Sequence, residues 1–398
     1  MIRPALRMLT EPDPRLLWKF CYRFGWQGIL SVRRFEKRCR NGNAAEPAFL
    51  FISLTDACNL TCQGCWVGLN SGKAKRRLAR EDLLKIVGEA HGRGIRFFGI
   101  LGGEPLTHPD LLDLFAGFPD CYFQLFTNGT LLDAAIARRL RQLGNVTRLI
   151  SIEGSQQVSD VRRGGQRVFE RSMAALKACR AERLIFGVAT SVCKSNYDDL
   201  VSRRFVNDMA AQGAQYLWYY IYRPVGPRPT PELCLSDDEV HNLRQFLVDT
   251  RMDAPLMLVD AYWNHLSEAL CPAATGISHH VGPGGDVEPC PPIQFAVDNL
   301  LGAREGASPL ERSEFLEAFR LSSGQTRGCR AARLSRETAR LRRANRSPRY
   351  QRARHRARRI GGDATAPGHH QPGREIKERN PLYYFAKKHW FFGFGAYG

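Results

Sequence analysis

The sequence predicts an α/β protein built on an open, partial barrel of six parallel strands. Between residues 48 and 222 short apolar segments alternate with longer segments of helical periodicity, which indicates parallel strands joined by right-handed crossovers. Six such repeats are too few to close an eight-stranded barrel. Short polar motifs follow several predicted strands, and ligands of parallel sheets bind at the carboxyl ends of strands. We therefore expect these motifs to meet on one face.

The bounds of the elements follow from hydrophobicity and from local start signals. The predicted strands cover residues 48–54, 95–101, 121–127, 147–152, 184–191 and 216–222. The predicted helices cover residues 80–92, 109–117, 131–143, 167–181 and 198–212. Residues 223–235 are proline-rich and predict a linker. Ser236-Asp-Asp-Glu239 has the pattern of a capping box, so a further helix should extend from there to about residue 249.

An aromatic and basic segment, residues 14–40, precedes the first strand. Its aromatic residues are Trp18, Phe20, Tyr22, Phe24, Trp26 and Phe35, and its later part carries Arg33, Arg34, Lys37, Arg38 and Arg40. Aromatic rings and cations on one helical segment suit a membrane interface. A helix packed against the outside of the barrel explains the pattern equally well. Gly25 and Gly28 argue against one long helix, and both interpretations stay open.

The loop after the first strand carries three cysteines, Cys58, Cys62 and Cys65, with C-x3-C-x2-C spacing. Soft thiolate ligands favour iron–sulfur clusters, and three thiolates can hold three corners of a cubane. With no fourth cysteine nearby in the sequence, one iron keeps an open coordination position, as in a catalytic metal site. A zinc site or a redox motif is the alternative for the triad taken alone.

Three further motifs end predicted strands in chain order. They are Gly102-Gly103-Glu104-Pro105, Thr127-Asn128-Gly129 and Ser151-Ile152-Glu153-Gly154. Glycines let the backbone approach a ligand closely, and a carboxylate such as Glu104 accepts charge-assisted hydrogen bonds from an ammonium group. These motifs therefore predict a ligand-binding turn beside the cysteines.

The triad and these three motifs, in this order, resemble the radical SAM enzymes. The resemblance covers residues 47–225 strongly and 265–300 moderately. It implies a partial (βα)6 TIM-type barrel and a [4Fe–4S] cluster ligated by Cys58, Cys62 and Cys65. It also implies S-adenosylmethionine bound to the open iron, where one-electron cleavage gives a 5′-deoxyadenosyl radical.

The resemblance also implies which residues contact S-adenosylmethionine. Those expected to hold its amino group are Gly102, Gly103, Glu104 and Pro105. Those expected to reach its ribose or carboxylate are Thr127, Asn128, Ser151 and Glu153, unless they are turn residues bonded to their own backbone. The family often has an aromatic residue before the third cysteine, but Gly64 stands here, so Trp66 or the backbone is expected at the adenine. Arg162 and Arg163 either meet a carboxylate or face solvent.

A second cysteine pattern lies beyond the barrel. Cys271, Gly285 and Cys290 form a C-x13-G-x4-C pattern that resembles the start of the twitch or SPASM auxiliary-cluster regions. Gly284-Gly285-Asp286 predicts a hairpin turn that brings the two thiols together, and Cys329 is the expected third ligand. The resemblance implies a small C-terminal α+β extension with an auxiliary Fe–S cluster, whose fourth iron needs Cys234, another side chain or substrate. Two buried free thiols are the alternative.

The predicted organisation has six parts. They are an N-terminal helical element (1–46), the partial barrel (47–225), a linker and helix (226–264), the auxiliary-cluster region (265–329), an Arg-rich segment (330–372) and an aromatic tail (373–398). Residues 327–359 hold fourteen arginines and one glutamate, which is +13 of the net charge of +19. We expect the Arg-rich segment to be disordered or bound to an anionic partner. A local reading-frame slip in the coding sequence explains its composition as well. The aromatic tail is expected to dock on the core.

The composition narrows the class of protein. No apolar run approaches the length of a spanning helix, and no signal peptide opens the chain. Twelve cysteines without a secretion signal indicate a reducing interior. The expected location is therefore the cytoplasm, with peripheral contact at the inner membrane face as a further hypothesis.

The sequence predicts a radical SAM enzyme that modifies an unactivated carbon of a peptide or of a membrane lipid or isoprenoid. It needs a reducing electron donor such as flavodoxin or ferredoxin, and no residue is assigned as catalytic acid or radical donor. The alternative is a non-catalytic Fe–S protein that binds nucleic acid or an anionic surface through the Arg-rich segment. The intact Gly-Gly-Glu-Pro turn argues against that alternative, so nucleic acid is not an expected partner.

Overall fold

A computed structural model describes residues 2–41, 46–67, 75–226, 229–303, 308–324, 328–329 and 374–390. The expectations for the Arg-rich segment and for the last eight residues fall outside these ranges. The strands are β1 (Phe49–Ser53), β2 (Phe97–Leu101), β3 (Tyr122–Thr127), β4 (Val146–Ser151), β5 (Phe186–Val192), β6 (Tyr216–Ile221), β7 (Met257–Asp260), β8 (Ser278–Val281) and β9 (Val287–Glu288).

The helices lie before, between and after these strands. They are α1 (Ile2–Thr10), α2 (Pro14–Lys19), α3 (Gln27–Arg40), α4 (Arg80–Gly92), α5 (Leu111–Gly117), α6 (Ala134–Leu143), α7 (Gln156–Arg163), α8 (Val168–Ala181), α9 (Tyr197–Leu200), α10 (Arg203–Ala211), α11 (Asp237–Thr250), α12 (Glu314–Gly324) and α13 (Pro381–His389). A π-helical segment, Phe20–Trp26, joins α2 to α3. The capping box before α11 is present as predicted, with Ser236 and Glu239 bonding each other's backbone.

The strands form one sheet in the order β7-β6-β5-β4-β3-β2-β1-β8-β9. Strands β1 to β8 are parallel, and β9 runs antiparallel to β8. The predicted α/β partial barrel is therefore confirmed, and its six strands are all present. The sheet is wider than predicted, because β7 adds to β6 and β8 adds to β1. Both added strands have only four residues, and Ser-His-His-Val in β8 lacks the apolar run that predicts a strand.

Two apolar clusters pack against this sheet. Along β1 the side chains alternate: Phe49 and Phe51 belong to a cluster that also takes residues from both faces of β4 and β6, whereas Leu50 and Ile52 belong to a second cluster with α4 and α5.

One face of the N-terminal segment packs against the amino end of the barrel. Phe24 contacts Phe97 and Tyr122, the first residues of β2 and β3, with ring centroids 4.8 Å and 5.8 Å away. The buried face of the N-terminal segment therefore packs against the outside of the barrel, as one of the two interpretations expected. The π-helical segment spans Gly25 without a break, so the expected interruption does not occur.

Helix α13 covers the outer edge of β7. The Tyr383 hydroxyl accepts a hydrogen bond of 2.9 Å from the backbone N–H of Asp260, a group that the edge strand would otherwise leave unpaired. Lys387 donates to the Asp260 carboxylate at 2.6 Å. At the end of the helix the Trp390 indole N–H donates to the carbonyl of Phe24 at 2.8 Å. Residues 374–390 thus dock on the core. Within the described ranges, no helix has both the length and the apolar character needed to cross a bilayer.

Candidate active site

A cavity of about 380 Å³ opens at the carboxyl ends of the strands. Its wall includes Phe51, Leu101, Phe126, Ser151, Ala189 and Tyr220, which come from six different strands. Both cysteine groups line it as well, namely Cys58, Cys62 and Cys65 with Cys271, Cys290 and Cys329. The expectation that the sequence motifs meet on one face therefore holds, and a single chamber contains both groups of thiols.

The loop of the first cysteine group is tied to the Gly-Gly-Glu-Pro turn by backbone hydrogen bonds. The N–H of Gly103 donates to the Thr55 carbonyl at 2.7 Å, and the N–H of Glu104 donates to the Ala57 carbonyl at 2.8 Å. A Cβ atom at position 103 would lie 2.1 Å from the Ala57 oxygen. Glycine is therefore required here, because any side chain would push the cysteine loop away from the turn.

Gly64 explains why the aromatic residue expected before the third cysteine is absent. Its φ is +63°, and a Cβ atom there would lie 2.2 Å from the Tyr222 hydroxyl oxygen. Tyr222 follows β6 and lines the cavity, so its ring occupies the space beside the loop that a side chain at 64 would need. An aromatic ring from another part of the chain therefore lies next to position 64.

The Cys58 thiol needs a positive partner to ionise. Burial raises the pKa of Cys58 to about 11, whereas the thiolate is the form that ligates iron. Arg163 donates to the Cys62 sulfur at 3.8 Å, and Asn128 donates to the Cys58 sulfur at 4.0 Å. Burial alone would lower the pKa of Arg163, but the negative charges of Cys62 and Glu153 raise it. Cationic irons would complete the stabilisation of these thiolates.

The thiols are too widely spaced for one metal ion. Two thiolates on one zinc ion lie within about 4.6 Å of each other, because each Zn–S bond is about 2.3 Å long. Among the described residues, the only three His, Cys, Asp or Glu ligand atoms that all lie within 4.8 Å belong to His91, Asp120 and Cys121 at the amino end of the barrel. The three triad thiols are therefore not all close enough to one another to share a single zinc ion in this structure.

Glu104 lies at the centre of the site with its side chain 1% exposed. Its carboxylate accepts hydrogen bonds from the Thr127 hydroxyl at 2.7 Å, the Asn128 N–H at 2.7 Å and the Leu106 N–H at 3.1 Å. Burial raises its pKa in spite of these bonds. A carboxylate offers about four acceptor positions, so one acceptor position of Glu104 has no partner among the described residues.

Thr127 and Asn128 are largely occupied within the protein. The Thr127 hydroxyl donates to Glu104 and accepts from the Gly129 N–H at 3.0 Å. The Asn128 amide oxygen accepts from the Thr130 N–H, and its NH2 group donates to Asn59 at 2.9 Å. Thr127 therefore holds the Glu104 carboxylate and its own turn in place, and Asn128 holds the same turn. These bonds are typical of turn residues.

Glu153 organises the two arginines that follow it. Its carboxylate lies 3.4 Å from Arg163 and 3.8 Å from Arg162. Arg162 is 5% exposed and lines the cavity, and its Nε and Nη1 atoms have no hydrogen-bond partner among the described residues. The arginines therefore do not face solvent, and Arg162 has three N–H donors that remain unpaired within the described residues. Ser151 and Trp66 lie on the same cavity wall, and the Trp66 ring packs edge-on against His280 at 6.0 Å.

The second cysteine group sits in an apolar cluster with Ile293, Phe295 and Phe319. The predicted hairpin is present: the Gly282 N–H donates to the Asp286 carbonyl at 2.9 Å, and β8 pairs with β9. Burial, and then the nearby Cys329 sulfur, raise the pKa of Cys290 well above its usual value. Cys234 packs elsewhere, with Cys193 and Tyr222. It does not line the cavity that Cys271, Cys290 and Cys329 line.

Sequence reasoning missed the contribution of β6 to the cavity. Tyr220, Tyr222 and Arg223 all line it, and the Tyr220 ring stacks on Trp218 with centroids 5.4 Å apart. The aromatic run Tyr216–Tyr222 was a signal for a buried strand, but aromatic residues fill cores as readily as cavities. An aromatic residue near the carboxyl end of the strand lines the cavity, whereas one nearer its beginning fills the core, and the sequence alone does not give this position.

Known proteins are similar to this chain in sequence. Residues 52–202 match the family model of the radical SAM superfamily. The AdoMet-dependent heme synthase of Methanosarcina barkeri is 31% identical over 157 residues, which is 39% of this chain and 45% of that protein. The PqqA peptide cyclase of Streptomyces rochei is 27% identical over 266 residues, which is 64% of this chain and 71% of that protein. The chain thus spans less than half the length of the first of these relatives.

A solved structure has the same fold. Streptococcus suis SuiB bound to its precursor peptide SuiA superposes with a TM-score of 0.54 at 16% identity, covering 72% of this chain and 68% of that chain. Members of the radical SAM superfamily bind a [4Fe–4S] cluster and S-adenosylmethionine, and the cysteine loop, the Gly-Gly-Glu-Pro turn and the cavity between them fit both groups. The family match and the assembled motifs together show that residues 52–202 of this chain are similar to the radical SAM superfamily.

Proposed function

We propose that this protein is an enzyme that reductively cleaves S-adenosylmethionine and modifies an unactivated carbon of a peptide substrate. The observation that carries the proposal is the pair of hydrogen bonds that fixes the Gly-Gly-Glu-Pro turn to the loop of Cys58, Cys62 and Cys65 at the mouth of one cavity. When bound, the cluster and S-adenosylmethionine supply one-electron cleavage to a 5′-deoxyadenosyl radical, and the protein supplies orientation and dryness.

The cavity residues have distinct roles in this proposal. Glu104 accepts a hydrogen bond from the ammonium group of S-adenosylmethionine at its remaining acceptor position. Arg162 donates from its unpartnered Nε and Nη1 atoms to the carboxylate, beside Ser151. Phe51, Phe126 and the other apolar wall residues exclude water, which protects a reactive carbon radical from side reactions.

A peptide is the favoured substrate class. The names of two similar proteins, the PqqA peptide cyclase and SuiB with its precursor peptide, state a peptide partner. A membrane lipid or isoprenoid substrate is the second candidate, favoured by the exposed Trp18, Tyr22 and Trp26. These aromatic residues lie at the amino end of the barrel, whereas the cavity opens at the carboxyl end. Lipid inserted at the aromatic face would not reach the cavity, so the peptide candidate is stronger.

We propose a second [4Fe–4S] cluster on Cys271, Cys290 and Cys329. Its support is the convergence of the three thiols on the cavity wall within an apolar cluster. Because Cys234 packs elsewhere, the fourth iron is left for another side chain or for substrate. The proposal also includes a low-potential donor such as flavodoxin or ferredoxin, and a cytoplasmic location with peripheral membrane contact.

The test is anaerobic reconstitution with dithionite, followed by measurement of iron per chain and of 5′-deoxyadenosine. Two clusters give about eight irons and one cluster gives about four. The Cys271→Ala/Cys290→Ala variant should fall from about eight irons to about four and keep the absorbance of the first cluster. The matched Cys193→Ala/Cys234→Ala variant should keep its iron. Absence of 5′-deoxyadenosine from a fully loaded protein would favour the non-catalytic alternative.

A further inference from the structure

The N-terminal segment lies across the amino ends of several strands of the barrel. Arg15 donates to the carbonyl of Arg141 at 2.5 Å and Lys19 donates to that of Leu143 at 2.9 Å, and both carbonyls precede β4. Arg23 donates to the Asp120 carbonyl at 3.0 Å, just before β3. These bonds fix α2 and the π-helical segment to the end of the barrel opposite the cavity.

The outer face of this segment exposes three large aromatic side chains in a row. Trp18 is 69% exposed, Tyr22 is 43% exposed and Trp26 is 55% exposed. Their spacing of four residues places them on one side of the helical segment, and the rings of Trp18 and Tyr22 stack at 6.2 Å. Phe20 and Phe24 point to the opposite side and are buried. Such a contiguous aromatic face on a protein surface marks an interaction site. We call it the aromatic face.

Helix α13 adds apolar surface next to this segment. Trp390 bonds to the Phe24 carbonyl and packs its ring against Phe24 at 4.8 Å. The same helix exposes Leu382 by 56% and Phe385 by 54%. Two elements far apart in sequence therefore meet here, and both leave large apolar side chains uncovered within the described residues.

The charge of the N-terminal segment favours an anionic surface. Residues 1–40 contain ten Lys and Arg but only three Asp and Glu, a net charge of +7. Arg15, Arg33, Arg34 and Lys37 are exposed beside or beyond the aromatic residues. Cations near an anionic leaflet are attracted to it, and this attraction weakens as salt is added. Docking of a second copy of the chain would instead bring two positively charged faces together, which repel each other.

We propose that the aromatic face rests in the headgroup layer of an anionic membrane, so that the barrel stands with its cavity directed away from the bilayer. Tryptophan and tyrosine suit this layer because their rings are apolar and their N–H or O–H groups stay hydrated. The attachment is peripheral, and it serves to hold the enzyme at the surface. The proposal does not depend on the radical chemistry, because it concerns the opposite end of the barrel.

The test is co-sedimentation of the full-length protein with vesicles of phosphatidylcholine, with and without phosphatidylglycerol. We expect binding to the anionic vesicles that weakens as salt is added, and quenching of tryptophan fluorescence by brominated lipid. The Trp18→Ser/Tyr22→Ser/Trp26→Ser variant should bind at least tenfold more weakly, and Arg33→Gln/Lys37→Gln should lose most of the preference for phosphatidylglycerol.

The matched control is Leu84→Ser/Leu266→Ser/Leu321→Ser, which removes three exposed apolar side chains outside the aromatic face and should bind vesicles like the native protein. Unchanged melting temperatures would show that each variant is folded. The proposal is overturned if the native protein does not bind anionic vesicles, or if the aromatic variant binds them as tightly as the native protein. A concentration-dependent dimer that the aromatic variant abolishes, without vesicle binding, would assign the face to a second copy instead.

Discussion

Thr127 acts through Glu104, because its hydroxyl contacts the carboxylate rather than the cavity ligand. The sequence predicts it at a ribose or carboxylate, but its hydroxyl donates to Glu104 and so orients the carboxylate that faces the cavity. Together with the Asn128 N–H, it also connects the ends of β2 and β3. Preorganisation of this kind lowers the entropy that a bound ligand must otherwise overcome.

Removing that hydroxyl should weaken the binding of S-adenosylmethionine. Loss of one hydrogen bond to a charged group costs about 1.5 kcal/mol, so we expect the Kd of the Thr127→Val variant to rise roughly tenfold. Thr127→Ser keeps the hydroxyl and should bind like the native protein. Equilibrium dialysis of the reconstituted proteins measures both constants. Equal affinity of the valine and serine variants would mean that the hydroxyl has no such role.

Gly64 should tolerate no side chain. Gly64→Ala combines a positive φ with a Cβ atom 2.2 Å from the Tyr222 hydroxyl oxygen, a strain of about 1–3 kcal/mol. Because the strain falls between Cys62 and Cys65, we expect less iron per chain and a lower melting temperature. Gly117→Ala, where no atom lies within 4 Å of the new Cβ, is the control and should retain full iron. Full cluster content in Gly64→Ala would contradict the strain argument.

At the scale of elements, α11, β7 and α13 share a buried cluster of charges. Asp260 pairs with Arg244 at 3.2 Å, with Arg251 and with Lys387 at 2.6 Å, and Glu378 pairs with Arg251 at 2.6 Å. All five side chains are at most 2% exposed. Such a cluster is stable only when every member is present.

Asp260→Asn should therefore destabilise the fold strongly. It leaves three cations facing the single carboxylate of Glu378, and an uncompensated buried charge costs about 3–5 kcal/mol. Urea unfolding should show a lower midpoint. Asp253→Asn removes an exposed pair with Arg203 and should change the stability by less than about 1 kcal/mol. Similar midpoints for the two variants would refute the importance of the buried cluster.

The same cluster sets an acid limit on stability. Burial alone would raise the pKa of Asp260, but Lys387, Arg251 and Arg244 hold it well below its usual value of 3.8. The carboxylate therefore contributes stability above pH 3.8, and this contribution is lost as the pH falls below that value. The unfolding free energy of the native protein should decline more steeply in this range than that of Asp260→Asn, as measured by urea titrations at several pH values.

At the scale of the whole molecule, the parallel barrel could be predicted because its six central strands are contiguous apolar runs. The strand-end positions of Cys58, Gly103 and Glu104 followed from the same pattern. Strands β7 and β8 could not be predicted, since four residues carry no periodicity and β8 contains two histidines. The pairing of Lys387 with Asp260 joins residues 127 positions apart, and no local pattern encodes such a contact.

The shared cavity was also beyond sequence reasoning. Each cysteine group was recognised by its own spacing, but their common wall depends on how β8 and β9 add to β1. The occupied hydroxyl of Thr127 and the partly free guanidinium of Arg162 likewise depend on side-chain geometry rather than on residue type. Sequence thus predicts where the chemistry lies, and packing determines which group does what.

The buried charges around Asp260 have a consequence for biosynthesis. A ribosome makes the barrel strands well before it makes Glu378 and Lys387, so during that interval Asp260, Arg244 and Arg251 lack two of their partners. Nascent chains stalled ahead of residue 374 should expose the edge of β7 and recruit chaperones, because an open strand edge invites pairing with other chains. Completion of this fold therefore waits until helix α13 has been translated.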